Sequence, residues 1–356
     1  SRNSPGRIVA SIAARAQACD AQTVEIGTGR RPDCRGNCGT IAPIRYAETG
    51  PNREDVGLRR TTRLKALIAA PGIVVMPGVH DALGGRLAEA AGFEAIVQGG
   101  YSATATLLGR PDSSQLSLTE LSEMYSRLAD ATDLPILADA DTGFGNVTNV
   151  ARAVRLYEKA GVAGLFIEDQ VFPKRCGHMA GKAVVPRSEW LAKIKAALDA
   201  REETDFVVMA RTDAIAVNGL DDAIERAQLA REAGADLLFV EAPTGVDQMR
   251  RLCREIPGPC LANNVESGLS PLVPADELQA IGYAAVVFPV SATYAVAHAL
   301  RELFATLRRT GTTADALPRL ASFGEFNELV GLSAQRRREA DLQDYADALV
   351  ARHANH

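Results

Sequence analysis

Eight short apolar runs constrain this chain more than any other feature. They begin near Ile73 (IVVM), Ala95 (AIVQ), Ile136 (ILAD), Gly164 (GLFIE), Phe206 (FVVMA), Leu237 (LLFVE), Cys260 (CLA) and Ala285 (AVVF). Each run is continuously apolar rather than alternating, the pattern of a strand buried on both faces. Amphipathic stretches such as 149–160, 189–200 and 221–233 lie between them. Several of these end at an Ala-Gly pair (Ala91-Gly92, Ala160-Gly161, Ala233-Gly234), where a helix stop favours glycine. Strand followed by helix, eight times over, predicts an α/β fold with parallel strands closed into a (β/α)8 TIM barrel; an open doubly wound sheet rarely needs eight such units. Beyond Ser291 the pattern is helical to the end. Residues 291–309 are expected as the eighth barrel helix, with 323–332 and 335–351 as extra C-terminal helices.

The barrel is expected over 58–356, with residues 1–57 set apart. Residues 28–57 are rich in Gly, Arg, Pro, Asn and Asp without a sustained period, so 1–57 reads as a poorly structured extension. Residues 8–18 fit a short helix but lack the basic region and long apolar core of a secretory signal. The formal net charge of −5 gives no electrostatic footprint for nucleic acid. No apolar run reaches the ~20 residues of a membrane helix. Six scattered cysteines are too few for a disulfide scaffold, and the expected setting is cytoplasmic with free thiols. Cys34 and Cys38 lack the second pair that a zinc site requires. The sequon at Asn146 is a chance match in that setting, and Arg336-Arg337-Arg338 reads as a solvated helix face.

A barrel of this kind works at the C-terminal ends of its strands, and there the sequence turns polar. The third strand ends in Asp139-Ala140-Asp141, the fourth in Glu168-Asp169-Gln170, the sixth in Glu241. The fifth runs into Arg211-Thr212-Asp213, the seventh into Asn263-Asn264, and the eighth leads to Ser291. Carboxylates crowded into one mouth repel one another unless a cation neutralises them. Oxygen donors with no histidine cluster suit a hard ion, Mg²⁺ or Mn²⁺, which takes one or two carboxylates directly and keeps water. Arg211 and Asn263 suit a substrate carboxylate. Asp81 is expected to cap the first helix instead.

The two longest inter-strand intervals each leave room for a loop over the mouth. The first spans about 102–116 and includes Asp112. The second, 171–186, reads VFPKRCGHMAGKAVVP. In it Lys174, Arg175, His178 and Lys182 surround Cys176, and nearby cations lower a thiol pKa, making it a reactive donor or nucleophile. Gly177 and Gly181 permit a mobile lid.

Taken together, DADTGFGN from Asp139, IEDQ from Ile167, PKRCGH from Pro173, ARTDA from Ala210 and LANNVE from Leu261 resemble the isocitrate lyase/phosphoenolpyruvate mutase superfamily. The resemblance covers roughly 61–345. Within the superfamily the KRCGHMAGK loop looks like that of the lyases, those acting on 2,3-dimethylmalate first and those acting on 2-methylisocitrate next, and the SFGEFNELVGL tail looks like the 2,3-dimethylmalate type. The resemblance implies a helix-swapped barrel, with the eighth helix packed on a neighbouring subunit of a homotetramer. It implies Mg²⁺ nearest Asp141, with Asp139, Asp112 and Glu168 in its shell. It gives Arg211 the 2-hydroxy carboxylate, Glu241 and Asn263 the walls, Ser291 the distal carboxylate and Cys176 the part of general acid, with His178 helping to set the thiol. The implied reaction is a retro-aldol (Claisen-type) cleavage of a 2-hydroxy di- or tricarboxylate into a 2-keto acid and a second acid. Phosphonate-forming mutases and oxaloacetate hydrolases or decarboxylases share the metal site and stand as alternatives; a non-catalytic metabolite-binding barrel is the reading furthest from these residues. There is one departure. Where the family has Ser or Thr in the second strand's loop, this chain has Gly99, in Gln98-Gly99-Gly100-Tyr101-Ser102, so that one hydroxyl is missing there, leaving the backbone N–H groups to bind an anion and Ser102 as the hydroxyl that could compensate. His80, where close relatives often carry Tyr, is a second difference.

Overall fold

A computed structural model of the protein describes residues 57–354; the expected extension and its cysteines lie outside this range, apart from Gly57. Eight parallel strands run β1 (Val74–Pro77), β2 (Ile96–Gln98), β3 (Ile136–Asp139), β4 (Gly164–Glu168), β5 (Val207–Thr212), β6 (Leu237–Val240), β7 (Cys260–Asn263) and β8 (Ala285–Phe288). Each starts within one residue of its expected position. They pair in the order β1-β8-β7-β6-β5-β4-β3-β2, and the bridge Gly78↔Val97 joins β1 to β2 and closes the ring.

Alternation along each strand explains why the runs are apolar throughout. Met76, Val97, Leu137, Phe166, Met209, Phe239, Leu261 and Val287 fill the barrel interior. Their neighbours Val75, Ile96, Ile136, Ile167, Val208, Leu238 and Val286 pack outward under the helices. At the N-terminal end, α1 (Arg60–Ala69) inserts Leu64 and Ile68 into the interior cluster, and Arg60 donates to the carbonyls of Ala129 and Thr132. That end is stoppered, so the open mouth is the other.

The outer helices are α2 (Ala82–Ala90), α3 (Gly100–Leu108), α4 (Leu118–Ala131), α5 (Val147–Ala160), α6 (Arg187–Ala200), α7 (Ile215–Asn218), α8 (Leu220–Glu232), α9 (Val246–Glu255) and α10 (Ala275–Ile281). Asp81 caps α2 as expected, accepting from the Gly84 N–H at 2.7 Å, and Gly161 closes α5 in the left-handed region. One expectation needs correction. The first mouth loop is shorter than read, because Gly100–Leu108 forms α3. Its Ala and Thr residues give no alternation, yet Ser102, Ala103 and Thr104 bury there. The eighth helix, α11 (Ser291–Thr310), stands where it was expected, and none of its residues is buried, in keeping with the helix-swapped form of the barrel. Its Val296, Leu300, Phe304 and Leu307 are exposed, Phe304 by 60%. A short 3₁₀ segment, α12 (Phe323–Leu329) and α13 (Leu332–Ala354) follow, with Arg336, Arg337 and Arg338 exposed. No helix among the described residues is long and apolar enough to cross a membrane.

Candidate active site

At the end of β3 the chain makes a tight loop. Asp139 Oδ1 accepts the Asp141 N–H at 2.8 Å, and Oδ2 accepts the Gly100 N–H at 2.6 Å. The hydroxyls of Tyr125 and Tyr157 both donate to the Asp139 carbonyl. Asp141 takes a left-handed backbone, φ 46°. Among the described residues the non-glycine positions with positive φ are Ser114, Asp141, Phe144, Ala242 and Ser267. All of them lie on loops at the mouth, where strain is retained for function.

The Lys174 ammonium reaches into this loop, 2.8 Å from Asp112 Oδ2, 3.1 Å from Asp141 Oδ1 and 4.0 Å from Asp139 Oδ2. Burial works against its charge, but the surrounding carboxylates, Asp141 foremost, hold its pKa well above the usual lysine range. Burial likewise pushes Asp141 up to about 6, against the pull of Lys174. Glu168 is pushed well above the carboxylate range by the same desolvation. Asp141 Oδ1 and both Glu168 oxygens are buried without a well-aligned hydrogen-bond donor, Asp141 Oδ1 and Glu168 Oε2 meeting Lys174 and Arg211 only as ion pairs. Oxygen lone pairs left bare in this way fit a hard divalent ion. Among the described residues no group of three acidic, His or Cys side chains is compact enough to enclose a metal. One or two direct carboxylates, with water and substrate oxygens completing the shell, is the arrangement these residues fit.

Arg211 forms the opposite wall. Its guanidinium meets Glu168 Oε2 at 3.3 Å, Asp213 Oδ2 at 3.0 Å and Glu241 Oε2 at 3.2 Å, and lies 5.1 Å from the centroid of the Phe239 ring. Asn263 donates to Glu241. His178 Nδ1 accepts the Leu269 N–H at 2.9 Å, leaving Nε2 to face Glu241 Oε1 at 3.4 Å. An imidazole accepting at Nδ1 carries its proton on Nε2.

The second mouth loop, 171–186, lies folded down over both walls. Its ends pair through Gln170↔Val184, and Lys182 binds Asp213 at 2.9 Å and also the Gly177 carbonyl. Gly177 approaches so closely that a Cβ there would come 2.5 Å from Glu241 Oε2 and 2.6 Å from Arg211 Nη2. Beside it Cys176 is half-buried. Here the electrostatic expectation reverses. Burial raises the thiol pKa; the His178 backbone N–H and Arg211 pull it down, but Glu241 pushes it back up. The loop's cations do not act on the sulfur because Lys174 and Lys182 are spent on aspartates.

Gly99, Gly100, Tyr101, Asp112, Asp139, Cys176, His178, Arg211, Glu241 and Asn263 all line one cavity of about 390 Å³. A larger hollow of about 470 Å³ lies at the stoppered end, beside Arg59, Arg60 and Glu203, away from every strand C-terminus. Asp141 and Glu168 stand just behind the cavity wall, in contact with Lys174 and Arg211. Ser291 does not line the cavity: its hydroxyl donates to Glu266 Oε1, and Glu266 is the lining residue. Sequence reasoning missed Glu266, Tyr294 and the seat of Lys174 among the aspartates.

Comparison with known proteins places the chain in a family. The phosphoenolpyruvate phosphomutase family model matches residues 64–308. A 2,3-dimethylmalate lyase from Eubacterium barkeri is 43% identical, over 79% of this chain and 98% of its own length. A 2-methylisocitrate lyase from Aeropyrum pernix is 41% identical, over 82% and 94%. The solved structure of a phosphonopyruvate hydrolase in complex with oxalate and Mg²⁺ superposes with a TM-score of 0.72 at 33% identity, over 80% of this chain and 99% of that one. With the barrel, its acidic mouth and its cysteine lid in place, the chain belongs to the phosphoenolpyruvate mutase/isocitrate lyase superfamily and is an enzyme of its lyase branch.

Proposed function

We propose that this enzyme cleaves the C2–C3 bond of a 2-hydroxy di- or tricarboxylate of the 2,3-dimethylmalate or 2-methylisocitrate type, releasing a 2-keto acid (pyruvate) and a second carboxylic acid. One observation carries the reading: the lid sets a protonated Cys176 in the same cavity as Arg211 and the aspartate loop. Asp141, with Asp139, Asp112 and Glu168 around it, would hold Mg²⁺, or Mn²⁺ in its place. The ion supplies polarisation of the substrate's hydroxyl and adjacent carboxylate.

The chain's own groups do the rest. Arg211, fixed by Glu168, Asp213 and Glu241, binds a substrate carboxylate and stabilises charge as it develops. The Gly99, Gly100 and Tyr101 backbone closes the pocket at the aspartate end. The C2 hydroxyl proton leaves to water as the C2 oxygen forms the keto group, and water returns a proton to the thiolate once Cys176 has donated its own. The C2–C3 electron pair passes to C3, delocalised into its carboxylate. The Cys176 thiol then gives its proton to C3. Glu241, Asn263 and His178 hold the lid and Arg211 in register; Ser291 acts through Glu266. A thiol kept protonated suits an acid better than a nucleophile, which favours a lyase over the alternative chemistries of the superfamily.

The exposed apolar face of α11 supports an assembly in which that helix packs on another subunit, in a homotetramer. The free thiols of Cys176, Cys253 and Cys260 accord with a cytoplasmic setting. The test of function is release of keto acid from 2,3-dimethylmalate, 2-methylisocitrate, isocitrate and oxaloacetate in the presence of Mg²⁺. Pyruvate or glyoxylate released from a hydroxy acid is expected, falling about 10²–10⁴-fold in Cys176→Ala and lost with a chelator. Turnover of oxaloacetate alone would overturn the lyase reading.

A further inference from the structure

The lid end of the cavity differs from the aspartate end. Its walls are Tyr101, Met179, Val265, Glu266, Val290 and Tyr294. The Tyr101 and Tyr294 hydroxyls stand 3.3 Å apart, with their rings edge to face. Glu266 spends Oε1 on Ser291, while Oε2 is buried without a donor. Burial and the Tyr101 hydroxyl raise the Tyr294 phenol pKa, with Glu266 adding to them, and Tyr294 lines the same cavity as Cys176 and Glu266. The group on C3 of the substrate, beside the thiol that protonates C3, therefore faces these residues.

Charge is the decisive feature. Among the described residues the only Lys or Arg lining the cavity are Lys174 and Arg211. Lys174 is matched by Asp112 and Asp141, and Arg211 by Glu168, Asp213 and Glu241. Lining acids (Asp112, Asp139, Glu241, Glu266) outnumber these two cations, and a divalent ion does no more than balance that excess. Two substrate carboxylates find partners at the ion and at Arg211. A third, carried on C3, would meet no cation and would face the bare oxygen of Glu266. Like charges at short range in a partly desolvated site repel strongly.

We propose that this lyase is selective for a diacid whose C3 substituent is uncharged and small, an alkyl group rather than a carboxymethyl group, with Glu266 and Tyr294 as the residues that set this choice. The proposal rests on the lyase reading above and narrows it to one of its two substrate types.

The experiment compares kcat and KM for 2,3-dimethylmalate, with methyl on C3, and 2-methylisocitrate, with carboxymethyl on C3, in the wild-type enzyme and in Glu266→Gln and Tyr294→Arg. The wild type is expected to favour the methyl substrate in kcat/KM by at least about 10-fold, a discrimination within reach of one substituent. Most of the difference should lie in KM. Removing the Glu266 charge, or adding a cation at 294, should narrow the ratio by about 10-fold, chiefly through a lower KM for the tricarboxylate. Product inhibition gives a second readout that needs no variant: propionate should inhibit at concentrations where succinate does not. Equal or better cleavage of the tricarboxylate by the wild type would overturn the proposal and leave the lyase intact. Cleavage of neither compound would overturn both.

Discussion

At Cys176 the same burial that a nucleophile would have to overcome keeps the proton where a general acid needs it. Desolvation and Glu241 raise the thiol pKa, with Arg211 a partial counterweight. A group with a raised pKa holds its proton to higher pH, so the thiolate fraction at pH 7–8 is lower than for a free cysteine. Peptide-resolved alkylation by iodoacetamide should therefore show Cys176 reacting more slowly than a free thiol at pH 8, with its half-maximal rate at a higher pH than the free thiol's. Fast alkylation at pH 7 would mean that the loop's cations govern the sulfur after all. Glu168 illustrates the same logic from the other side. Its Oε1 is buried without a donor and its Oε2 meets only the Arg211 guanidinium, a cost that a ligand, an ion or a proton would offset.

At the scale of elements, the lid spanning 171–186 is held at three points: Lys174 in the aspartate loop, Lys182 on Asp213, and His178 on the Leu269 N–H. Between them Gly177 slides past Arg211 and Glu241 with no room for a methyl group. Gly177→Ala should keep the lid from seating. A loss in kcat/KM of about 10²-fold is expected, since an ångström of misplacement is worth that much. Melting temperature should stay near wild type, and limited proteolysis within 171–186 should accelerate. Wild-type kinetics in this variant would show that the lid does not need this approach. The strands were legible in the sequence to within a residue because a run of four or five apolar residues ending in an acid has few readings in a repeating α/β chain. Asp139, Glu168, Arg211 and Glu241 were legible for the same reason. The α3 helix was not, because its small residues carry no periodic signal. The state of Cys176 was not, because Lys174 and Lys182 look like its neighbours in sequence but find their partners in aspartates many residues away. Glu266, on the loop after β7, and Tyr294, in the first turn of α11, were hidden because they meet only at the mouth.

At the scale of the whole molecule, α11 stands out as a 20-residue helix with no buried residue and an apolar face in water. A patch of that kind on a described surface calls for a partner, and a second copy of the chain is the partner the assembly reading supplies. Light scattering on the full-length protein should report a multimer, and Phe304→Asp should shift it toward smaller species. A wild-type monomer would remove the assembly reading without touching the barrel. The helix has a further consequence. A fold that completes its packing only against other copies does not have a fixed stability; it has one that depends on how much of it there is. On the assembly reading, dilution would act as a denaturant, and the melting temperature would climb with concentration by mass action. In a cell, the abundance of the enzyme would help to decide how long each copy of it lasts.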